Sequence, residues 1–199
     1  MSPTIDDLRS SLSVAADTLA AFSADEAALT AAAEFADLAY EALSGGKKLL
    51  ACGNGGSMCD AMHFAEEWTG RFRGDRGPLP ALAFSDPAQL TCIANDFGFD
   101  EVFARQVAAH GREGDLLIAL STSGGSPNIL RALEEARARG VKTVGLLGRG
   151  GGAALALSDV AIVVPDATTS DRIQEVHITV LHSVIEAVER RLFPDNYAD

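Results

Sequence analysis

A histidine and a carboxylate at helical spacing are the first residues of this chain whose types suggest chemistry. His63 and Glu67 stand four positions apart, so a helix would place both on one face. There they could bind a metal ion or act as a base with its partner. Glu66, three positions from His63, is a rival to Glu67, although the four-residue spacing favours Glu67. An exposed His–Glu pair on a helix surface would explain the same spacing, so the pattern alone leaves both interpretations open.

Two glycine- and serine-rich segments follow short apolar runs. The first is Gly53-Asn54-Gly55-Gly56-Ser57, and a helical pattern comes directly after it. In this context backbone amides at a helix N-terminus bind anions. The segment is not a dinucleotide-binding motif, because G-x-G-x-x-G counted from Gly53 requires glycine at position 58, where the chain has Met58. Taken by itself, it fits a tight turn as well as a ligand site.

The second segment, Ser121-Thr122-Ser123-Gly124-Gly125-Ser126, is rich in hydroxyl groups. We expect Ser126 to be the N-cap of a helix and Pro127 its first residue. Hydroxyls, backbone amides and a helix dipole together suit a monophosphate. A nucleoside triphosphate loop would add a lysine next to Ser or Thr, which this segment lacks. The alternative is a capped helix whose serines satisfy only backbone groups.

Three further segments are less specific. His182 lies near Leu181 and Val184, where a histidine is more often a core residue than a catalyst. Asn95-Asp96 precedes Phe97-Gly98-Phe99 and is predicted to lie in a loop, which an ordinary Asx turn would also explain. The segment Arg149-Gly150-Gly151-Gly152 has no hydroxyl cluster and is interpreted as a connection only.

Five short apolar runs are predicted to be the strands that position these segments. They cover residues 48–52, 79–84, 116–120, 141–147 and 160–164. Continuous apolar runs separated by helical patterns are typical of a parallel sheet covered on both faces, so the predicted fold is α/β and doubly wound. Both glycine- and serine-rich segments follow strands, and ligands bind at that carboxyl edge in open α/β sheets.

Helical patterns occupy both ends of the chain. Residues 5–43 have apolar positions at three- and four-residue spacing, including Leu8, Leu12 and Leu19, and indicate two amphipathic helices hinged near Ser23–Asp25. A terminal helix is predicted over Asp171 to Phe193. With neither a low-complexity linker nor a repeat of fixed period, residues 1–199 are expected to form one domain.

Composition excludes several classes of protein. The 199 residues are 47% hydrophobic and 22% charged, which excludes a disordered or fibrous chain. The net charge of -12 disfavours binding to nucleic acid or to an anionic membrane. The apolar runs are too short to span a membrane, and the N-terminal sequence lacks a secretory signal. Three cysteines without zinc-finger spacing indicate free thiols in a reducing cytoplasm.

Taken together, the motifs resemble the phosphoheptose isomerase family, which is built on the sugar isomerase (SIS) domain. The residues that carry the resemblance are Cys52–Ser57, Asp60–Glu67, Gly70–Phe72, Asn95–Gly98, Ser121–Gly124 and Asp171–Glu175. The resemblance implies a flavodoxin-like, five-stranded SIS domain with extra N-terminal helices, residues 1–44, involved in oligomer packing. It also implies an aldose–ketose isomerase that converts D-sedoheptulose 7-phosphate to D-glycero-D-manno-heptose 7-phosphate through an enediol in bacterial heptose biosynthesis.

The resemblance further implies a cytoplasmic homotetramer with one zinc ion per subunit. It assigns the zinc ligands to His63, Glu67, Gln174 and His182, and proton transfer to Glu67 and His182. Substrate binding is assigned to Asn54, Gly55, Gly56, Ser57, Asn95, Asp96, Ser121, Thr122, Ser123, Ser126, Asp171 and Gln174. Two departures are visible. Gly125 stands where the family commonly has asparagine, which could alter how tightly the sugar phosphate is held, and Met58 occupies a variable position that is often histidine or alanine.

The implied ligand set raises a geometric question. If Gln174 and His182 both lie inside one helix, eight residues separate them by about 12 Å along its axis. Either Gln174 precedes the helix, or neighbouring subunits share the site. The alternative function is a non-catalytic SIS-domain protein that binds a replication initiator or another protein. Such a protein would keep the glycine- and serine-rich segments but lack the side chains needed for catalysis. The presence of His63, Glu67, Gln174 and His182 therefore favours an enzyme.

Overall fold

A sheet of five parallel strands forms the centre of the computed structural model, which describes residues 4–167 and 169–198. The strands are β1 (Leu49–Gly53), β2 (Ala81–Ala83), β3 (Leu116–Ser121), β4 (Lys142–Leu147) and β5 (Val160–Val163). Their spatial order is β2-β1-β3-β4-β5, and every neighbouring pair is parallel. The predicted doubly wound, five-stranded parallel sheet is therefore confirmed, with the strand order of flavodoxin-like folds.

Each predicted apolar run contains a strand, although the bounds differ. β1 and β3 are buried along their whole length, as continuous apolar runs require. β2 is shorter than the predicted run 79–84 and lies at the edge of the sheet. Pro80 has no backbone N–H to donate to a neighbouring strand, so regular pairing with β1 begins only at Ala81.

Helices cover both faces of the sheet. They are α1 (Ile5–Ala24), α2 (Glu26–Ser44), α3 (Gly56–Thr69), α4 (Pro87–Phe97), α5 (Ala104–His110), α6 (Pro127–Ala138), α7 (Ala154–Leu157) and α8 (Ser170–Leu192). On one face α2, α3 and α8 enclose a core that includes Phe35, Phe64 and Trp68. On the other face α5, α6 and α7 pack around Phe103 and Ile129. One-turn 3₁₀ segments at Phe99–Glu101 and Pro194–Tyr197 complete the described elements.

The two N-terminal helices meet at Asp25, within the predicted hinge. The Asp25 carboxylate accepts hydrogen bonds from the amides of Ala27 (2.9 Å) and Ala28 (3.1 Å), so it caps α2. Whereas α2 packs on the sheet and on α8, α1 buries little besides Phe22. Leu8 and Leu12 are 59% and 70% exposed. Part of the predicted apolar face of α1 is therefore not used in the core of this chain.

The terminal helix α8 begins at Ser170 and ends at Leu192, within one residue of the predicted bounds at each end. It packs against α2 and α3, so its inward residues face the helix that follows the first glycine-rich segment. Among the residues described, the helices lack the combination of length and apolar character that a membrane span requires. Cys52, Cys59 and Cys92 are free thiols, and Cys52 is buried in the sheet.

Candidate active site

The two glycine- and serine-rich segments meet at the carboxyl edge of the sheet, between β1 and β3. These strands are neighbours in space, and the connections leaving them run in opposite directions across the sheet. Such a switch point is where open α/β sheets bind ligands. α3 begins at Gly56 directly after β1, with Gly55 as its N-cap at a φ of 56°. The first segment is thus a turn that also directs backbone amides at a helix N-terminus toward this edge.

A reciprocal pair of amide side chains joins the two segments. Asn54 Nδ2 donates to Asn128 Oδ1 (2.9 Å), and Asn128 Nδ2 donates to Asn54 Oδ1 (2.8 Å). An amide can pair in this way because it offers both a donor and an acceptor. Asn128 is buried on α6 and was missed by the sequence analysis, which concentrated on the hydroxyls before it. Its position directly after Pro127, in the first turn of a helix facing the first segment, was the available signal.

Hydroxyl groups cluster in the second segment. Ser121 Oγ lies 3.5 Å from Ser126 Oγ and accepts a hydrogen bond from the Gly124 amide (3.1 Å). Ser123 Oγ accepts from the Gly125 amide (3.2 Å). Ser126 occupies the predicted N-cap position and Pro127 begins α6, but within the described chain the Ser126 hydroxyl makes no capping bond. Pro127 has no N–H, and the amides of Ile129 and Leu130 donate to the Ser126 carbonyl. Among the described residues, the Asn128 amide is therefore the backbone donor of this turn that remains for an anion.

The segment interpreted as a connection only, Arg149–Gly152, supports the hydroxyl-rich segment. Gly124 has a φ of +61°, and a Cβ atom there would overlap the carbonyl group of Gly151. The Ala154 amide donates to the Gly124 carbonyl (2.9 Å), which fastens the two segments together. The interpretation as a plain connection was therefore incomplete. A run of glycines permits this close backbone approach because no side chain intervenes.

Three potential ligand side chains converge between α3 and α8. His63 Nε2 lies 2.8 Å from His182 Nε2 and 3.5 Å from Glu67 Oε1. One ligand atom from each of these residues lies within 4.8 Å of the other two. Two imidazoles and a carboxylate form a donor set that suits zinc. The same three groups could also move protons, because imidazole and carboxylate side chains are common general acids and bases.

His182 lies in this cluster rather than in the apolar core. Burial, followed by the neighbouring His63, lowers the pKa of His182 below that of a free imidazole. Its ring lies 5.9 Å from that of Phe72, in the segment after α3. The general expectation that a histidine among apolar residues is structural applies instead to His177, which is fully buried.

Glu66 and Glu67 both approach His63, but on different sides of the imidazole. Glu66 Oε1 lies 3.2 Å from His63 Nδ1, with 61% of the Glu66 side chain exposed. Only 16% of the Glu67 side chain is exposed. The inward position and the contact with the nitrogen that faces His182 favour Glu67 as the functional carboxylate.

Gln174 lies at the other end of the α3–α8 contact. It is inside α8, as is His182, so the possibility that it precedes the helix is excluded. Its amide Nε2 lies 3.4 Å from Ser57 Oγ, and a Cβ atom on Gly56 would come within 2.6 Å of its Oε1. Within this chain, Gln174 therefore faces the first glycine-rich segment instead of the histidine pair.

Within this chain, the structure does not bring all of the predicted substrate residues together. Asn95 and Asp96 lie in the last turn of α4 and not in a loop, because the helix continues to Phe97 and ends at Gly98, whose φ is +92°. Within the described chain their side chains bond to each other (2.8 Å) and approach Cys92. Both are exposed, as is Asp171 at the start of α8. A hydrogen bond from Thr169 holds the pKa of Asp171 below its usual range.

Asp60 is a carboxylate near the site that the sequence analysis did not consider as a functional residue. It lies three positions before His63 and seven before Glu67, on the same stripe of α3. Burial raises its pKa to about 6, while the proximity of His63 opposes the shift. Among the described residues, its Oδ2 has no hydrogen-bond partner. Its spacing from His63 was the available signal.

Comparison with known proteins identifies the family. Residues 12–148 match the model of the SIS domain. The phosphoheptose isomerase of Edwardsiella ictaluri is 51% identical over 187 residues, covering 94% of this chain and 97% of that protein. The chain belongs to the phosphoheptose isomerase family.

Solved structures of this family also share the fold. A phosphoheptose isomerase from Francisella tularensis has a TM-score of 0.87 and 34% identity, covering 95% of this chain and 100% of that chain. Phosphoheptose isomerase from Neisseria gonorrhoeae has a TM-score of 0.83 and 38% identity, covering 94% and 99%. The likeness to phosphoheptose isomerases therefore includes the N-terminal helices, the sheet and α8. These relatives do not favour the alternative of a non-catalytic partner-binding protein.

Proposed function

We propose that the protein is an aldose–ketose isomerase that converts D-sedoheptulose 7-phosphate to D-glycero-D-manno-heptose 7-phosphate in bacterial heptose biosynthesis. The observation that carries the proposal is the convergence of Glu67, His63 and His182 between α3 and α8, in a chain about half identical to phosphoheptose isomerases. Isomerisation requires a group that moves a proton between C1 and C2 and a group that stabilises the developing oxyanion.

Glu67 is the base in this proposal. Its largely buried carboxylate removes a proton from C1 of the ketose and returns it to C2 through an enediol. His182 transfers the proton between the sugar oxygens, which an imidazole can do at neutral pH. Both groups are on rigid helices, so their separation is set by the packing of α3 against α8.

The phosphate binds at the N-terminus of α6 in this proposal. Ser121, Thr122, Ser123 and Ser126 supply hydroxyl donors, and the helix dipole favours the negative charge. Asn54 holds the two segments together through its bond to Asn128. Gly55, Gly56 and Ser57 line the sugar-binding site. Asn95, Asp96 and Asp171 complete the proposed substrate contacts.

Zinc is the proposed metal, one ion per subunit. His63, Glu67 and His182 would hold it, and their two imidazoles and carboxylate fit its preference. When bound, zinc would polarise the sugar carbonyl as a Lewis acid. Because Gln174 faces Ser57 in its own protomer, we propose that it completes the site of a neighbouring subunit.

A shared site makes assembly part of the proposal. We propose a cytoplasmic homotetramer in which residues 1–199 form one SIS domain and residues 1–44 pack between subunits. The exposed Leu8 and Leu12 on α1 support this arrangement, since apolar side chains of a helix are usually covered.

Turnover in heavy water tests the reaction. With D-sedoheptulose 7-phosphate, we expect the heptose product to carry deuterium at C2, because a carboxyl proton exchanges with solvent before it returns. A product without label at C2 would indicate a hydride shift and contradict an enediol route. Absence of turnover, together with capture of a specific protein partner, would instead favour the non-catalytic alternative.

Matched glutamine variants test the base. Glu67→Gln keeps the shape and removes the basicity, so kcat should fall by roughly 10²- to 10⁴-fold and label incorporation should fall with it. Glu66→Gln is the control, because Glu66 contacts the same imidazole but is largely exposed. It should retain kcat within about threefold. Zinc content is measured on each sample. Near-normal exchange in Glu67→Gln with zinc retained would move the base to His182.

A further inference from the structure

A fully buried ion pair joins the segment after α3 to α8, and these two helices carry the candidate active site. Arg76, in the segment after α3, contacts Glu189 on α8 through its Nε, and the side chains of both residues are 0% exposed. Charges removed from water in this way are costly, and a well-packed apolar pair of similar volume would often stabilise a fold as well. Stability alone therefore does not explain the pair. Its distinctive effect is to fix the segment after α3 relative to α8.

The Arg76 guanidinium also binds the end of the helix that carries Glu67. Its Nη2 donates to the carbonyl oxygen of Glu67 and its Nη1 to that of Trp68, both at 2.7 Å. Carbonyls in the last turn of a helix lack partners within the helix. One planar guanidinium can serve two of them and a carboxylate at once, which the ammonium of lysine cannot do with the same fixed geometry.

Glu189 connects this cap to the helix that carries His182. It lies seven positions after His182, two turns along α8 and on the same face. Its second oxygen accepts a hydrogen bond from the hydroxyl of Tyr197 (2.9 Å), in the short turn after α8. The carboxylate is thereby held from both sides, by α3 through Arg76 and by the C-terminal segment.

We propose that Arg76 and Glu189, completed by Tyr197, are positioning residues that hold the backbone at Glu67 and the α8 face at His182 in the relative positions that metal binding and proton transfer require. None of the three is assigned a contact with substrate or metal. The inference rests on the proposed function for its metal and its reaction, whereas the helix geometry it explains can be measured without either.

Glu189→Gln tests the proposal, because it keeps the size of the side chain and removes its charge. We expect affinity for Zn²⁺, measured by competition with a chromogenic chelator, to fall by at least about tenfold, as for other residues that orient metal ligands. The kcat should fall, while KM for the sugar phosphate stays within about threefold, because the hydroxyl-rich segment is untouched. Tyr197→Phe should change zinc affinity in the same direction by a smaller factor, and it serves as the test if Glu189→Gln does not fold.

Asp115→Asn is the matched control. Asp115 is also buried and paired with a lysine, Lys48. It directly precedes β3, at the amino ends of the strands, and so lies on the side of the sheet opposite to the candidate site. At temperatures where both variants are folded, Asp115→Asn should retain the zinc affinity of the unmodified protein. Equal zinc affinity in Glu189→Gln and Asp115→Asn would show that the Arg76–Glu189 pair stabilises the fold without positioning the site, and would overturn the proposal.

Amide hydrogen exchange separates this inference from the proposed function. In the metal-free protein, Glu189→Gln should speed exchange in the last turn of α3 and around His182, and Asp115→Asn should not. If the unmodified protein neither binds zinc nor isomerises heptose phosphate, the proposed function fails, and the exchange result alone then decides on the positioning role. Unchanged exchange in Glu189→Gln at both places would overturn it.

Discussion

Two histidines five positions apart on α8 have different environments. His182 lies in the partly exposed cluster with His63, whereas His177 is 0% exposed, with its Nε2 3.2 Å from the carbonyl oxygen of Leu147. Among the described residues its Nδ1 has no partner. Burial lowers the pKa of His177 to about 4, and the bond to Leu147 opposes the shift only in part. His177 is therefore neutral in the folded protein at pH 7.

This buried imidazole predicts a loss of stability in mild acid. In the unfolded chain a histidine has a pKa of about 6.5, so between pH 6.5 and pH 4 the unfolded state binds a proton that the folded state does not. The contribution of the neutral ring to the free energy of unfolding is therefore fully present well above pH 6.5 and decreases as the pH falls toward 4. From pH 7.5 to pH 5 the loss from His177 should be about 2 kcal/mol.

Urea unfolding of the protein and of His177→Gln, at one protein concentration and with a chelator present, checks this prediction. Glutamine offers an N–H donor to Leu147 and does not titrate. The difference in unfolding free energy between the two proteins should therefore shrink by about 2 kcal/mol between pH 7.5 and pH 5. Parallel pH profiles would show that His177 does not control acid stability, since the other titrating groups are common to both proteins.

The position of the hydroxyl-rich segment depends on a second loop. Ser121–Ser126 is held against Arg149–Gly152 by backbone contact at Gly124 and by the bond from Ala154. The positive φ of Gly124 favours glycine, and the neighbouring carbonyl leaves no room for a side chain. Two separate connections therefore determine where the hydroxyls lie.

Gly124→Ala should displace this segment. A left-handed alanine costs about 1 kcal/mol, and the overlap with Gly151 adds to this because backbone cannot yield as a flexible side chain does. We expect KM for the sugar phosphate to rise at least about tenfold, since the hydroxyls and amides that we propose to bind phosphate would move. Steady-state kinetics and the unfolding midpoint measure the two effects.

Gly150→Ala controls for backbone strain. Gly150 has a φ of +77° in the supporting loop, but a Cβ atom there would meet nothing within 4 Å. The substitution should cost about 1 kcal/mol of stability and leave KM within about twofold. If both variants raise KM equally, backbone conformation and not the close approach at Gly124 determines phosphate binding.

The exposed apolar face of α1 allows the proposed assembly to be tested by adding charge to it. Ile5, Leu8 and Leu12 are 74%, 59% and 70% exposed and share one face of the helix. If this face packs between subunits, the double variant Leu8→Glu, Leu12→Glu should reduce the mass measured by light scattering at micromolar concentration. The protomer should stay folded, because neither leucine belongs to its core. Under the shared-site proposal, activity should fall together with the mass.

Ser10→Glu, Ser13→Glu adds the same charge to α1 away from the Leu8–Leu12 face and serves as the control. It should leave the mass unchanged. A charged Leu8, Leu12 variant that keeps both the mass and the activity of the unmodified protein would show that α1 does not pack between subunits.

Local pattern was sufficient for the main features of the fold. Apolar runs predicted all five strands, and most clearly β1 and β3, because a strand buried on both faces requires apolar residues at every position. Turn and cap chemistry located both glycine- and serine-rich segments and the start of α6. Helix ends are less well specified by local pattern. The prediction of a loop at Asn95-Asp96 is wrong, because nothing before Gly98 distinguishes a final helical turn from an Asx turn.

By itself, the sequence determined the class of fold and the residue types at the carboxyl edge, since both depend on neighbours along the chain. The spacing of His63 and Glu67 indicated a pair, but only the packing of α3 on α8 placed His182, 119 positions away, beside it. The same is true of Arg76 with Glu189, Asn54 with Asn128 and Gly124 with Gly151. These contacts join residues distant in sequence, and their geometry follows from how whole helices and loops pack around the core, which no local periodicity specifies.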